Sequence, residues 1–232
     1  MPREAADVLV DRIDVQAPAD RRRGRGALSN AVGRFEPEAR VSFDDGWELE
    51  EDLAPLRTTV RADAARTIIT RNDSPDISFD RSINPYRGCE HGCIYCYARP
   101  SHCYLGHSAG LDFETQLYAK PNAAALLEKE LGTPGYAPAT MALGTNTDPY
   151  QPIEREHQIT RSVLEVLERT GHPVGIVTKS ALVVRDIDIL QRMAERGLAK
   201  VALSITTLDR HLARRMEPRA STPTRRLDAI RQ

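Results

Sequence analysis

The sequence predicts an α/β fold, a parallel sheet covered by helices. Three observations lead there. Short, continuous apolar runs near 140–144, 174–178 and 201–206 read as strands buried on both faces. The stretches between them carry apolar residues at helical spacing. Each apolar run also turns polar at its C-terminal end, where parallel α/β architectures gather their functional groups.

The elements follow in order. Residues 1–60 show no sustained period and read as a largely irregular N-terminal extension, mostly extended or disordered, with Trp47 docking onto a core domain over 61–232. Within the extension, Arg21-Arg22-Arg23-Gly24-Arg25-Gly26 is a basic tract and residues 44–52 an acidic run. The tract can neutralise phosphates, but a solvated, disordered stretch is the favoured reading. A strand over 82–86 leads into a cysteine loop, where Gly88 and Gly92 give the backbone freedom to wrap tightly. Asn122 caps a helix that runs to Leu131, with Leu126, Leu127 and Leu131 on one face and Gly132 as its stop. After the strand at Met141-Ala142-Leu143, a helix over 156–170 puts Ile159, Val163, Val166 and Leu167 on one stripe and ends at Gly171. The strand at Val174 precedes a helix over 186–196 carrying Ile187, Leu190 and Met193, and a fourth strand begins at Val201. Repeated right-handed β–α crossovers build either a barrel or an open doubly wound sheet, and spacing alone leaves both open. About four βα units are present, and the last amphipathic pattern is cut off at Gln232. We read this as a truncated chain that exposes the edge of its fourth strand.

Composition narrows the function classes. With 232 residues and a net charge of −1, the chain fits one good-sized domain with a tail, or two small domains, and has no global attraction to nucleic acid or membranes. No apolar run is long enough to span a bilayer, and the first residues lack a secretory pattern. Of the four cysteines three are crowded together, which argues against a disulfide framework and for a reducing cytoplasm.

Those three, Cys89, Cys93 and Cys96, form a C-x3-C-x2-C run. A four-iron cluster normally takes four thiolates, so three would leave one iron open for chemistry. A structural zinc site prefers a second ligand pair, and no further cysteine follows Cys103 to make one; His102, Cys103 and His107 make only a weak cluster. The polar strand ends are Gly144-Thr145-Asn146-Thr147-Asp148, Thr178-Lys179-Ser180 and Ser204-Ile205-Thr206-Thr207. Any one threonine there is better explained as a partner for loop backbone. Lys179 is not, because a lysine emerging from an apolar strand is rarely buried unpaired.

The cysteine run resembles the cluster loop of the radical S-adenosylmethionine (radical SAM) enzymes. From about Asp76 onward the chain is similar to the branch related to spore photoproduct lyase, and within it to an uncharacterised bacterial group. The likeness rests on Asn84-Pro85-Tyr86-Arg87-Gly88-Cys89, Tyr95-Cys96-Tyr97-Ala98-Arg99-Pro100-Ser101-His102, Gly110-Leu111-Asp112-Phe113-Glu114, Thr145-Asn146-Thr147-Asp148, Thr178-Lys179-Ser180, Ser204-Ile205-Thr206-Thr207 and Glu217-Pro218-Arg219. It implies a partial (β/α)6 barrel in which Cys89, Cys93 and Cys96 ligate a 4Fe–4S cluster. S-adenosylmethionine would chelate the open iron, with Tyr95 at its adenine, Tyr97 close by, and Thr147, Lys179 and Ser204 in contact with it. Arg219 is a candidate for a cofactor or substrate carboxylate.

The implied reaction is reductive cleavage of S-adenosylmethionine to a 5′-deoxyadenosyl radical, which abstracts hydrogen from a substrate. An electron donor such as a flavodoxin or ferredoxin would supply the electron. Kinship and the Arg21–Arg25 tract nominate nucleic acid as substrate, with a peptide as the other candidate. Thr145 stands where spore photoproduct lyase has a hydrogen-donating cysteine, which argues against the same repair reaction. The alternative function is a non-catalytic zinc or iron–sulfur module that staples the fold or senses redox state.

Overall fold

The structure is a computed structural model, and it describes residues 16–31 and 55–232. Eight strands follow in chain order: β1 (Thr59–Ala62), β2 (Ile69–Arg71), β3 (Arg81–Ile83), β4 (Tyr86–Arg87), β5 (Gln116–Ala119), β6 (Met141–Leu143), β7 (Val174–Thr178) and β8 (Ala199–Leu203). The main sheet has the order β2-β3-β6-β7-β8. Its last four strands are mutually parallel, and β2 runs antiparallel along the outer edge of β3. The α/β reading with about four βα units therefore holds, and β8 forms an edge of the sheet among the described residues.

Among the described residues seven α-helices accompany the strands: α1 (Asp112–Thr115), α2 (Ala123–Leu131), α3 (Glu154–His157), α4 (Ile159–Thr170), α5 (Ile187–Glu195), α6 (Arg210–Met216) and α7 (Pro223–Arg231). The inner stripe of α4, with Val163, Leu164 and Leu167 fully buried, packs into one core with Met141, Leu143 and Ile176 from the sheet. This apolar body holds the C-terminal ends of β3, β6, β7 and β8 side by side.

Several elements depart from expectation for identifiable reasons. The strand over 82–86 is two strands, because Pro85 has no N–H to continue a ladder. Its second half, β4, instead joins a separate three-stranded sheet of order β1-β5-β4. The helix over 156–170 is broken at Gln158, whose φ of 50° is left-handed. The break lets the buried Glu154 carboxylate accept the N–H of Thr160 at 3.0 Å, so Glu154 supplies the acceptor at the start of α4. Asn122 precedes α2 but makes no side-chain cap; its amide donates to Ala65 instead. The final helix starts earlier than its sequence pattern, at Pro223, with the Thr222 hydroxyl accepting from Arg225. The fourth strand likewise begins at Ala199 rather than Val201.

The expected domain break between residues 60 and 61 falls inside β1, which pairs in parallel with β5. Residues 16–31 contain no strand or helix but are docked on the core. Trp47 and the acidic run lie outside the described residues.

Candidate functional site

The cysteine loop leaves β4 and is fixed by its backbone. The Cys89 N–H donates to Phe113 O at 2.9 Å. The fully buried Gln151 donates to Gly88 O at 3.1 Å and accepts from the Glu90 N–H at 2.9 Å. Arg99 donates to Cys93 O at 3.0 Å and to the Glu114 carboxylate at 2.6 Å. The Ile94 N–H reaches Met216 O at 3.0 Å, tying the loop to the end of α6. Gly92, at φ +66°, sits so close to these neighbours that a Cβ would lie 2.8 Å from Glu114 Oε2 and 3.2 Å from Pro218 Cγ. A side chain there is excluded both by backbone conformation and by space.

The basic tract has a role that its composition concealed. Arg25, read as part of a solvated stretch, is buried, and its guanidinium donates to Glu114 O at 2.8 Å, Leu56 O at 3.0 Å and Thr58 Oγ1 at 2.9 Å. The next two N–H groups, of Gly26 and Ala27, donate to the Glu114 carboxylate at 2.9 and 2.8 Å. A Cβ on Gly26 would stand 1.8 Å from Gly92 O, so only glycine lets this strap lie against the cysteine loop. An Arg-Gly-Arg-Gly pattern looks disordered by composition; only partners 31 to 89 residues downstream give it a place.

Cys89, Cys93 and Cys96 are thiols outside any disulfide. Burial pushes the Cys89 thiol up, and the Asp148 carboxylate adds to it. Cys93 is pushed up to about 12 by burial and then by Glu217, against the opposing pull of Lys179, and it also feels Cys96. Cys89, Cys93, Cys96, Lys179, Glu217 and Asp148 thus share one electrostatic neighbourhood at the strand ends. Asp148 stitches that end together, accepting from the Thr178 hydroxyl and the Lys179 N–H, each at 2.7 Å. His91 Nδ1 lies 3.3 Å from Asp148 Oδ2 but off the hydrogen-bond line, leaving it without a hydrogen bond. Burial alone would raise Asp148; these neighbours, His91 foremost, hold it below the usual carboxylate range.

The residues expected at the cofactor are placed differently from one another. Tyr95 and Lys179 come together beside Cys93: the Lys179 ammonium lies over the Tyr95 ring at 5.8 Å and has no carboxylate partner among the described residues. Ser204 is half-buried, its N–H on Thr178 O at 2.8 Å and its hydroxyl without a hydrogen bond among the described residues. Tyr97 is largely exposed and crosses from the loop to bond Thr145 O at the end of β6. Thr147 is different. It is buried, and its hydroxyl donates to Tyr86 O at 3.1 Å, so its proton is committed to backbone. Arg219 is not loose; it pairs with Glu90 at 3.2 Å, and its N–H donates to His91 O.

Glu217, which the sequence marks only as part of Glu217-Pro218-Arg219, organises the tyrosine. Its carboxylate accepts from Tyr95, from Thr206 at 2.6 Å and from the buried Arg226 at 2.5 Å. Burial works to raise its pKa, but these three donors hold it below the ordinary value, as an anion. Tyr95 lies 122 residues from Glu217 along the chain, so no local spacing reveals the pair.

Do these residues suit an iron–sulfur cluster? Among the described residues no three His, Cys, Asp or Glu side chains converge as ligands of a single ion. A cube asks for less, since each thiolate meets its own iron. Three free thiols on one glycine-hinged loop, with a cation beside them to offset thiolate charge, fit that group.

The radical SAM superfamily profile matches residues 83–232, well over half of the chain. The chain belongs to the radical SAM superfamily. Among its relatives is an uncharacterized protein of Mycobacterium tuberculosis, 41% identical over 154 residues, which cover 66% of this chain and 45% of the relative. An uncharacterized protein of Methanocaldococcus jannaschii is 27% identical over 149 residues, covering 64% of this chain and 53% of that one. A solved spore photoproduct lyase variant superposes with a TM-score of 0.51 at 21% identity, covering 87% of this chain and 53% of its own, and shows the shared fold. The chain spans about half the length of the curated relatives it matches. Radical SAM membership implies a 4Fe–4S cluster with S-adenosylmethionine and supports an enzyme of radical chemistry; it does not favour the non-catalytic metal module. No helix among the described residues is long and apolar enough to cross a membrane.

Proposed function

We propose that Cys89, Cys93 and Cys96 hold a 4Fe–4S cluster through three of its irons, and that Tyr95, Tyr97, Lys179 and Ser204 receive S-adenosylmethionine beside it. When bound and reduced, this pair supplies a 5′-deoxyadenosyl radical that takes a hydrogen atom from the substrate. The protein's part is position and charge. Lys179 offers an unpaired cation to the cofactor carboxylate. Glu217 fixes the Tyr95 ring through its hydroxyl, so the ring presents a set face to the adenine. Tyr97, bonded across to Thr145 O, covers the cofactor from the solvent side. Thr147 shapes the same wall from behind through Tyr86 O.

The electron comes from an external donor such as a flavodoxin or ferredoxin, and free thiols of this kind suit a reducing cytoplasm. Thr145 exchanges hydrogen bonds with Asn84 and has only a hydroxyl to offer, so return of hydrogen to a substrate radical falls to another group. The observation that carries the reading is the Lys179 ammonium, without a carboxylate partner among the described residues, over the Tyr95 ring next to Cys93. Calorimetric titration of S-adenosylmethionine into the cluster-loaded protein tests it. Lys179→Ala should weaken binding about tenfold while cluster absorbance is retained. Equal affinity in the two proteins would remove Lys179 from the cofactor site.

A further inference from the structure

We propose that an arginine-lined groove beside the cysteine loop binds the phosphate backbone of a nucleic acid. Two adjoining cavities, of about 410 and 310 Å³, share Arg214, Pro218 and Ala220 and form one track. Arg23 of the N-terminal segment, Arg155 of α3 and Arg219 line the first, and Arg210 of α6 lines the second. Arg23, Arg155, Arg210 and Arg214 are exposed and have no ion-pair partner among the described residues. Arg219 shares the Glu90 carboxylate, which already faces Arg25 at 4.0 Å. The one acid lining the track, Glu217, is turned inward with its oxygens taken by Tyr95, Thr206 and Arg226.

Charge arithmetic selects the ligand. The chain as a whole carries −1, so these cations are segregated rather than part of a generally basic surface. A single phosphate group carries at most about two charges and cannot match five guanidiniums, whereas a row of phosphodiesters can. The arginines come from three separate segments lining two adjoining concavities, which suits a polyanion that runs from one to the other better than a flat lipid surface. Pro218 packs on Gly92 while the neighbouring Glu217 holds Tyr95, so a bound strand would pass one residue from the candidate cofactor pocket. Binding stands on the groove alone; its meaning as the substrate's track rests on the proposed radical chemistry.

Fluorescence anisotropy of labelled single-stranded DNA, RNA and duplex DNA, followed against salt with the full chain, tests this. Each arginine contact contributes roughly 0.7 to the log–log salt slope for a single strand. The double variant Arg155→Ala/Arg214→Ala should lose about 1.4 of slope and bind at least tenfold more weakly. Arg66→Ala, exposed and outside the groove, should leave both unchanged. Both groove arginines are exposed, so an unchanged melting midpoint verifies folding of the double variant. An unaltered slope in that variant would overturn the proposal. Displacement of the strand by tripolyphosphate at equal phosphate concentration, or binding to anionic vesicles alone, would overturn it too. Cluster content and S-adenosylmethionine cleavage, measured on the same double variant, should match the parent. Their absence from the parent would refute the cofactor reading without touching the salt slope.

Discussion

Arg25→Ala asks whether the N-terminal segment is a tail or a structural strap. The Arg25 side chain is 2% exposed and donates to Glu114 O, Leu56 O and Thr58 Oγ1 at 2.8–3.0 Å. Each bond contributes about 1 kcal/mol net, and leaving a buried acceptor such as Glu114 O unpaired costs about 1–3 kcal/mol. Removing the guanidinium also leaves Glu90 with Arg219 as its remaining cation. The sum is a destabilisation of about 3–5 kcal/mol, in line with loss of one member of a buried charged network. For a chain of this size that lowers the melting midpoint by about 10 °C. Arg25→Lys should recover only part of it, because one ammonium cannot span three acceptors set in a fork. Chemical denaturation of the full chain, with Arg22→Ala as the neighbouring control, measures the effect. A loss below about 0.5 kcal/mol for Arg25→Ala would refute the strap and restore the reading of a solvated tract.

Other outcomes follow from the same geometry. Gly92→Ala puts a Cβ 2.8 Å from the Glu114 carboxylate at a left-handed φ; it should cost at least about 1–2 kcal/mol and lower iron content on reconstitution, both read in one preparation. Glu217 has a folded pKa below its unfolded value of about 4.3, so its contribution is full above that pH and is lost as pH falls through the folded pKa. Glu217→Gln should therefore flatten the fall of melting midpoint with acid below about pH 4.3; an unchanged acid slope would remove Glu217 as its source. Thr147→Val, which keeps shape but removes the hydroxyl on Tyr86 O, should cost about 1 kcal/mol of stability with little change in cofactor affinity. A large loss of affinity at unchanged stability would return Thr147 to the cofactor itself.

The parts of the molecule legible in the sequence are those written in local period. Helix α4 and strand β7 appear where apolar spacing puts them, since each buries a stripe or a run against the common core. The second sheet was not legible. Its strands β1, β4 and β5 are two to four residues long, and both partners of β5 come from before the cysteine-bearing segment while β5 comes from after it. Strands that short carry no alternation to read. At the site, Cys89, Cys93 and Cys96 announce themselves because a metal's donor set is a spacing in the chain. Arg25, Glu114 and Glu217 do not, because their meaning is a meeting of distant segments. A buried arginine in a glycine-rich tract and a solvated one share the same letters; the carboxylate and carbonyls that face it decide between them.

The measurement that reaches the central claim most directly is iron, sulfide and zinc content of the anaerobically purified protein. The account predicts about four iron and four sulfide per chain, with Cys89→Ala, Cys93→Ala and Cys96→Ala each losing the cluster's visible absorbance and Cys103→Ala retaining it. Stoichiometric zinc with no iron or sulfide would contradict it.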